Sequence, residues 1–489
     1  MAENQQDFFR PKSMYKPLSK RPRLSFIAAT LACARLMIML LTVLLLVSCQ
    51  PVSPRSALQN VLDDGVLKIG TIFGRTTFYY GNESPRGFEY ELAQGFANYL
   101  GVEVQIYPFY SYQALMKELK QGRIDVAAAG DAVPDSVEQQ YKLGPVYQQV
   151  SHKLVFLQGN QRPRNIDDLK EPLVVVKGSS NAHLLQQLNS SHPTLDWKTT
   201  DNKDTWELLD DVANGRLPYT LVDTNTLSLQ RRQYPQLSIG FTLKRLVPIA
   251  WLMNQQQDDS LRAAVIEYFG SIQQTGIFKA LEDKYFGHVR DFNYVDTRAF
   301  IESAKAVLPD YAHWFQQYAT DVDWRLLAAM SYQESHWDPQ ATSYTGVRGL
   351  MMLTQDTARQ LNIDSRTDAQ SSIKGGARYV SNLLSRIPAR IKSPDRLWMA
   401  LAAYNIGMGH LEDARTLTQR QGGNPDLWVD VKRRLPQLEQ KRYYKTTRYG
   451  FARGHEARQY VENIRRYYDT LLYLDENTDF LSARSAPAT

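Results

Sequence analysis

Val66-Leu67-Lys68-Ile69-Gly70-Thr71-Ile72, followed by Glu89 to Leu100 (EYELAQGFANYL) and Val102-Glu103-Val104-Gln105-Ile106, sets the fold of the first half of the chain. The first and third pieces read as strands. The middle piece places Leu92, Phe96 and Tyr99/Leu100 at helical spacing. Outward from it, Tyr112 to Gln121 predicts a second helix with Ser111 as N-cap, and Ile124 to Ala129 a short apolar strand. The alternation continues through Leu154-Val155-Phe156-Leu157, Leu173 to Val176, Thr205 to Asn214 and Tyr219 to Val222, with a closing helix through Leu261 to Phe269. This is α/β organisation. From Tyr294 the texture changes, and helical patterns dominate to about Leu474. His288 to Asp296 (HVRDFNYVD) reads as the linker, and the polar stretch from Asp475 as a frayed tail.

A length of 489 residues predicts two or three domains. At 43% hydrophobic and 22% charged, the composition is that of a globular chain and argues against collagen, general disorder and a polytopic membrane protein. The cysteines are Cys33 and Cys49 alone. That excludes a disulfide scaffold, a cysteine-ligated metal site and a cysteine nucleophile in the body of the chain. The net charge is +6, but residues 1–49 hold seven basic residues against Glu3 and Asp7, leaving 50 basic and 49 acidic residues in the rest. A global nucleic-acid footprint is therefore absent. The basic stretch from Lys432-Arg433-Arg434 to Lys445–Arg448 reads as a solvated face.

The basic excess precedes an apolar run, Leu36 to Val47 (LMIMLLTVLLLV), too short to span a bilayer comfortably and suited to a signal-peptide core. Leu46-Val47-Ser48-Cys49 comes directly after it. This resembles the lipobox of bacterial lipoproteins. The resemblance implies cleavage before Cys49, a lipid on Cys49, and an anchored but otherwise soluble protein. Gln50 after the cysteine, by the same analogy, implies the inner leaflet of the outer membrane. Cys33 falls in the discarded segment.

Gly87-Phe88-Glu89-Tyr90-Glu91-Leu92-Ala93 with Leu100-Gly101-Val102, Gln121-Gly122-Arg123-Ile124-Asp125, Gly144-Pro145-Val146-Tyr147, and Gly276-Ile277-Phe278 with Lys284-Tyr285-Phe286-Gly287 occur in order. Together they resemble the family 3 solute-binding proteins over roughly residues 65–288. The resemblance implies two lobes and a cleft, with the chain crossing near residue 150 and returning near residue 245. It also implies an Arg facing a ligand carboxylate shortly before the Gly-Pro-x-Tyr stretch. That slot is Val137, in a segment without Arg. An acidic residue facing a ligand amine maps to Asp223. Two readings stay open for this cleft: retired or redirected, or working, with a muropeptide as ligand.

In the helical half, Asp321 or Asp323 can cap a helix running from Arg325 to Ser335 that stops before Asp338-Pro339. Glu334 then sits in its last turn. The negative end of the helix and the neighbours Tyr332 and Trp337 both disfavour a carboxylate there and raise its pKa, as a general acid requires. Three further segments come later in the chain: Gly346 to Thr354 (GVRGLMMLT), Ala402-Ala403-Tyr404-Asn405-Ile406-Gly407, and Arg453-Gly454-His455-Glu456 with Gln459 to Ile464. With Glu334-Ser335 these resemble the ordered motifs of the family 1 lytic transglycosylases, over roughly residues 298–474. One departure is Met352, where Gln is common.

The resemblance implies a lysozyme-like fold, and peptidoglycan glycan strands as partner and substrate. Glu334 would protonate the glycosidic oxygen between N-acetylmuramic acid and N-acetylglucosamine. It would then act as base on the muramyl C6 hydroxyl, closing a 1,6-anhydro ring. The substrate supplies its own nucleophile, so the second carboxylate of an ordinary glycosidase is not needed; Asp338, the nearest candidate, reads as a turn residue. Tyr404 and Asn405 are expected at the substrate, Ser335 either at Glu334 or the sugar or in a helix-end hydrogen bond, with Tyr460 facing Glu334 and Met351 and Met352 as cleft wall or core. No cofactor or metal is implied. The expected architecture is an α/β two-lobed periplasmic-binding-protein-like module followed by a mainly α lysozyme-like domain. It divides as residues 1–48 (signal peptide), 49–64 (tether), 65–288 (solute-binding-like, non-catalytic), 289–474 (transglycosylase) and 475–489 (tail). A silent sensor and a hydrolytic lysozyme on the same fold remain as alternative readings.

Overall fold

In the computed structural model the apolar run at Val66–Ile72 becomes a strand flanked by parallel partners, as its burial on both faces demands. The structure describes residues 37, 39, 55–81, 84–288, 294–343 and 346–477. The chain divides into two units, Met1–Arg55 and Ser56–Thr489, and both modules lie within the second. Cys49 and, apart from residues 37 and 39, the apolar run expected to be a signal core lie outside the described residues.

The described strands are, in chain order, β1 (Val66–Ile72), β2 (Tyr79–Tyr80), β3 (Pro85–Arg86), β4 (Glu103–Phe109), β5 (Val126–Ala127), β6 (Tyr141–Leu143), β7 (Gln148–Leu157), β8 (Leu173–Val176), β9 (Trp197–Thr200), β10 (Tyr219–Asp223), β11 (Leu237–Ile249) and β12 (Leu252–Asn254). Two five-stranded sheets result, ordered β4-β1-β5-β12-β6 and β11-β7-β10-β8-β9. Each is the centre of a lobe with its own buried core. The chain leaves the first lobe between β6 and β7 and returns between β11 and β12. Buried Glu89 ties the two crossings together: its carboxyl accepts from the Tyr147 hydroxyl at 2.7 Å and from the Trp251 indole N–H at 2.8 Å.

The expected tether ends earlier than residue 64. Ala57–Asp64 is a helix, because Ser56 caps Gln59 N–H at 3.1 Å and Ala57 and Val61 are buried in the first lobe. Its first turn is held by Asp258, which accepts from Ala57 N–H at 2.7 Å, and by the Ser260 hydroxyl, which accepts from Leu58 N–H at 3.0 Å. The linker is shorter as well. His288 is buried and meets Asp469, and the helix Tyr294–Ala306 starts inside the expected span. Residues 289–293 lie outside the described residues. Nor does the tail begin at Asp475, since the last helix runs from Gly454 to Asn477. Asp475 is held by Arg325 at 2.8 Å and Glu476 by Arg75 at 3.0 Å, partners that no local pattern announces.

Helices make up the second half, packed on one core that includes Phe300, Leu327, Trp337, Leu401, Tyr460, Ile464 and Leu471. The helix Gly454–Asn477, about 36 Å long at the usual rise, is its axis. Tyr460, Val461, Ile464, Tyr467 and Leu471 fall at three- and four-residue steps on its buried face. Its other face meets both lobes. Arg465 donates to the Asp283 carboxylate at 2.9 Å, and Asp469 contacts Arg232 and His288. Lys432 joins the cluster, contacting Asp283 and pairing with Glu462 at 2.7 Å.

Asp283 and Arg465 are 8% and 2% exposed at their side chains, so each charge depends on the other. Asp283→Ala should lower unfolding stability by about 3–5 kcal/mol, the usual penalty for stranding a buried charge. Denaturant titration of the full chain measures this, and an unchanged midpoint would contradict the assignment.

Candidate active site

Asp323 starts the helix Trp324–Ser335 by accepting from Arg325 N–H at 2.9 Å, and pairs with the Arg325 guanidinium at 2.6 Å. Leu326 to Tyr332 are buried without a break, so this helix lies inside the domain rather than on it. It stops at His336 and Trp337, which take left-handed φ values of 52° and 62°. The Trp337 indole N–H donates to Ala328 O at 2.9 Å, and its ring packs on Phe300 and Tyr332. The reversal leaves Glu334 in the last turn, half-buried.

The Tyr460 hydroxyl donates to Glu334 Oε1 at 2.6 Å, across 126 residues of sequence. Burial pushes the Glu334 pKa up to about 7, and the Tyr460 hydrogen bond opposes that shift without cancelling it. Tyr404 lies within electrostatic reach: burial first, and then the Glu334 charge, push its phenol well above the ordinary range. The same two causes act on Tyr460. Both tyrosines therefore keep their protons near neutral pH and can serve as donors. The Tyr404 hydroxyl donates to Met351 O at 2.7 Å, and its ring packs against Tyr379 at 5.1 Å. Asn405 is exposed beside it, at the end of the helix Asp395–Ile406.

The segment around Gly349 forms a turn clamped to the Glu334 helix. Gly349 has φ +84°, and a Cβ there would lie 1.7 Å from Arg366 O. Ser331 and Ser335 both donate to Leu350 O, at 3.0 and 2.9 Å, and Ser372 accepts from Met351 N–H at 3.1 Å. This clamp corrects the expectation of Ser335 at a sugar and sets Met351 on the core side of its expected place. Ser335 is buried with its hydroxyl committed to backbone oxygens, and Met351 is fully buried in the core. Met352 remains half-buried, with φ 43°. Asp338 is exposed and accepts from Gln340 N–H at 2.9 Å, a turn contact. Tyr379, on the long helix Ala369–Arg386, carries no sequence signal of its place beside Tyr404.

In the solute-binding-like module, Asp223 caps the helix Thr224–Gln230 by accepting from Asn225 and Thr226 N–H at 2.8 and 3.0 Å. That is a strand-end turn role, and both bonds fall on Oδ1. Val137 lines a cavity of about 230 Å³ in this module, together with Met116, Val133 and Leu252. Among the described residues, no group of three or more His, Cys, Asp or Glu could hold a metal ion, and no helix is long and apolar enough to cross a membrane.

The family model of the transglycosylase SLT domain matches residues 314–426, and that of the bacterial extracellular solute-binding proteins, family 3, matches residues 67–288. A membrane-bound lytic murein transglycosylase F from Alteromonas mediterranea is 55% identical over 449 residues, 90% of this chain and 97% of its own. Those from Idiomarina loihiensis and Pseudoalteromonas translucida are 49% and 48% identical, over 90% and 93% of this chain and 97% and 96% of theirs. The chain belongs to the membrane-bound lytic murein transglycosylase F family. Its relatives in that family align across both modules. Among solved structures, a cysteine-binding protein from Campylobacter jejuni covers 50% of this chain and 98% of its own at 18% identity and a TM-score of 0.44. A mutant ArgBP from T. maritima covers 47% and 99% at 20% identity and 0.43.

Two measurements probe the geometry without activity. Between the ordinary value of 4.5 and about 7, the unfolded chain releases the Glu334 proton while the folded chain keeps it. Stability therefore falls as pH rises through this window. Glu334→Gln should be more stable than the parent above pH 7, by about 2 kcal/mol once the open side of the carboxyl is allowed for, and equal to it near pH 4. Thermal melts across pH would show a constant difference if the carboxyl were ordinary. Gly349→Ala should destabilise the domain by about 3 kcal/mol or more, because both its φ and its backbone contact forbid a Cβ. A melt like the parent's would overturn that reading of the turn.

Proposed function

We propose that this protein cleaves the β-1,4 bond between N-acetylmuramic acid and N-acetylglucosamine in peptidoglycan glycan strands, without water, leaving 1,6-anhydromuramoyl ends. The observation that carries this is Glu334 in a chain of this family: one carboxyl with its pKa pushed up to about 7, held by one tyrosine hydroxyl. A group with that pKa is about half protonated near neutrality, where it can both give and take a proton.

Glu334 protonates the glycosidic oxygen as the bond to C1 breaks. The Tyr460 hydroxyl, already aimed at Oε1, stabilises the carboxylate that forms. Glu334 then takes the proton of the muramyl C6 hydroxyl as that oxygen attacks C1. The attacking oxygen belongs to the substrate, so no second carboxylate is required. Among the described residues the hydrogen-bond partner of the Glu334 carboxyl is Tyr460. Asn405 and Tyr404 line the approach, and exposed Asn405 is free to reach a sugar amide. Ser335 and Met351 support the wall from behind.

The attachment is proposed from the sequence. Cleavage before Cys49 and lipidation on it anchor the mature chain at the periplasmic face of the outer membrane. The solute-binding-like module takes a muropeptide between its lobes, where the 230 Å³ cavity lies.

Mass spectrometry of digested murein separates this reading from its rivals. Anhydromuropeptides should appear, and Glu334→Gln should release them roughly 10²–10⁴-fold more slowly. Reducing ends in place of anhydro ends would make the enzyme a hydrolase, and no fragments at all would make it a binding protein. Activity should decline as pH rises through about 7, because the acid form of Glu334 is lost. Tyr460→Phe removes a donor that favours the charged form, so this limb should move to higher pH while the maximum rate drops. A limb that stays in place would exclude Tyr460 from the acid's environment.

A further inference from the structure

The cleft of the solute-binding-like module contains a carboxyl of its own. Asp131 belongs to the first lobe, just beyond β5, and the helix Ser180–Leu188 belongs to the second. Asp131 Oδ2 accepts from Ser180 N–H at 2.9 Å, and Oδ1 accepts from the Ser180 hydroxyl at 2.5 Å. Oδ1 also accepts from its neighbour Ala132 N–H at 2.9 Å. A carboxylate from one lobe thus sits on the first turn of a nine-residue helix in the other. The free N–H groups and positive end of that helix favour an anion there.

The lobes touch around this contact. Gly178 precedes the helix with φ +76°, and a Cβ on it would come within 3.2 Å of Gln113 Cγ in the first lobe. The cavity of about 230 Å³ alongside is lined by Asp131, Ser180, His183 and mainly apolar side chains, with no Lys or Arg among the described residues that line it. The slot expected to hold a carboxylate-binding arginine is Val137, which faces the same cavity. A carboxylate entering this cavity therefore meets no guanidinium among the described residues, and the helix terminus that could receive it already holds Asp131.

We propose that Asp131 is a built-in occupant of the anion seat of the second lobe, latching the module closed without a ligand, so that a carboxylate-bearing ligand binds there only by displacing it. The latch is independent of the transglycosylase reading, because its test does not use activity.

Hydrogen exchange on the full chain tests it, read at the amides of Ser180 to Ala182 and on the facing helix Tyr112–Lys120. Asp131→Ala should speed exchange at both places by roughly tenfold or more, the loss expected for charge-assisted hydrogen bonds. Acetate, as a free carboxylate, should restore protection in this variant and leave the parent unchanged. Asp131→Asn keeps the shape without the charge and should fall between the two, which covers the case in which the alanine variant fails to fold. Parent-like exchange in Asp131→Asn and Asp131→Ala, or added protection of the parent by acetate, would overturn the latch.

Discussion

A single helix, Gly454–Asn477, has to satisfy two neighbours at once, and the rest of the molecule is arranged around that constraint. At 3.6 residues per turn, Tyr460 and Ile464 face the helical core while Glu462, Arg465 and Asp469 face the other module. Arg465 is the pivot of the second face. Its guanidinium lies 5.0 Å from the Trp398 ring and is paired to Asp283. Burying such a charge is favourable only when the pairing is complete. Asp283, Lys432 and Glu462 complete it with a network that spans both modules. The same helix ends on Arg75 of the first lobe through Glu476 and carries Asp469 to Arg232 of the second. The helix that delivers the Tyr460 hydroxyl to Glu334 is thereby fixed from both sides.

Glu334, the proposed acid, is a local conflict held in place by packing. A carboxylate in the last turn of a helix, half-buried among aromatic rings, is in an unfavourable position for its charged form. The left-handed pair His336 and Trp337 keeps it there, and the serine clamp onto Leu350 fixes the facing turn. Stability given up at Glu334 is recovered in the surrounding core, where Leu326 to Tyr332 and Trp337 are buried. This is the usual relation between a strained functional group and a rigid scaffold.

Much of this is legible in the residues. The strands at Leu173–Val176 and Tyr219–Asp223, and the helix Trp324–Ser335, fall within a residue or so of their expected spans, because burial on both faces or a clear cap fixes such elements locally. The helix Ala57–Asp64 also has its cap in Ser56, but its eight residues gain stability only by docking on the first lobe, which a local reading does not contain. The tail departs from expectation for the same reason, since Asp475 and Glu476 are polar yet ordered by distant arginines. At the site, Glu334, Tyr404, Asn405 and Tyr460 are nameable from motifs. That Ser335 and Met351 point away, and that Tyr379 packs on Tyr404, is not.

The sequence by itself determined the class of each half, the order of the modules and the place of Glu334, the proposed acid, in the last turn of its helix, because these rest on periodicity, capping and short motifs, which are properties of neighbouring residues. Only the tertiary structure decided which hydroxyl meets that carboxyl, which motif residues are buried behind the wall, and that Asp131 reaches the other lobe across the cleft. Those facts depend on residues brought together from 126 positions apart at the acid and 49 at the cleft. Contact at such separation is set by how whole elements pack, and side-chain direction within a motif is left open until they do.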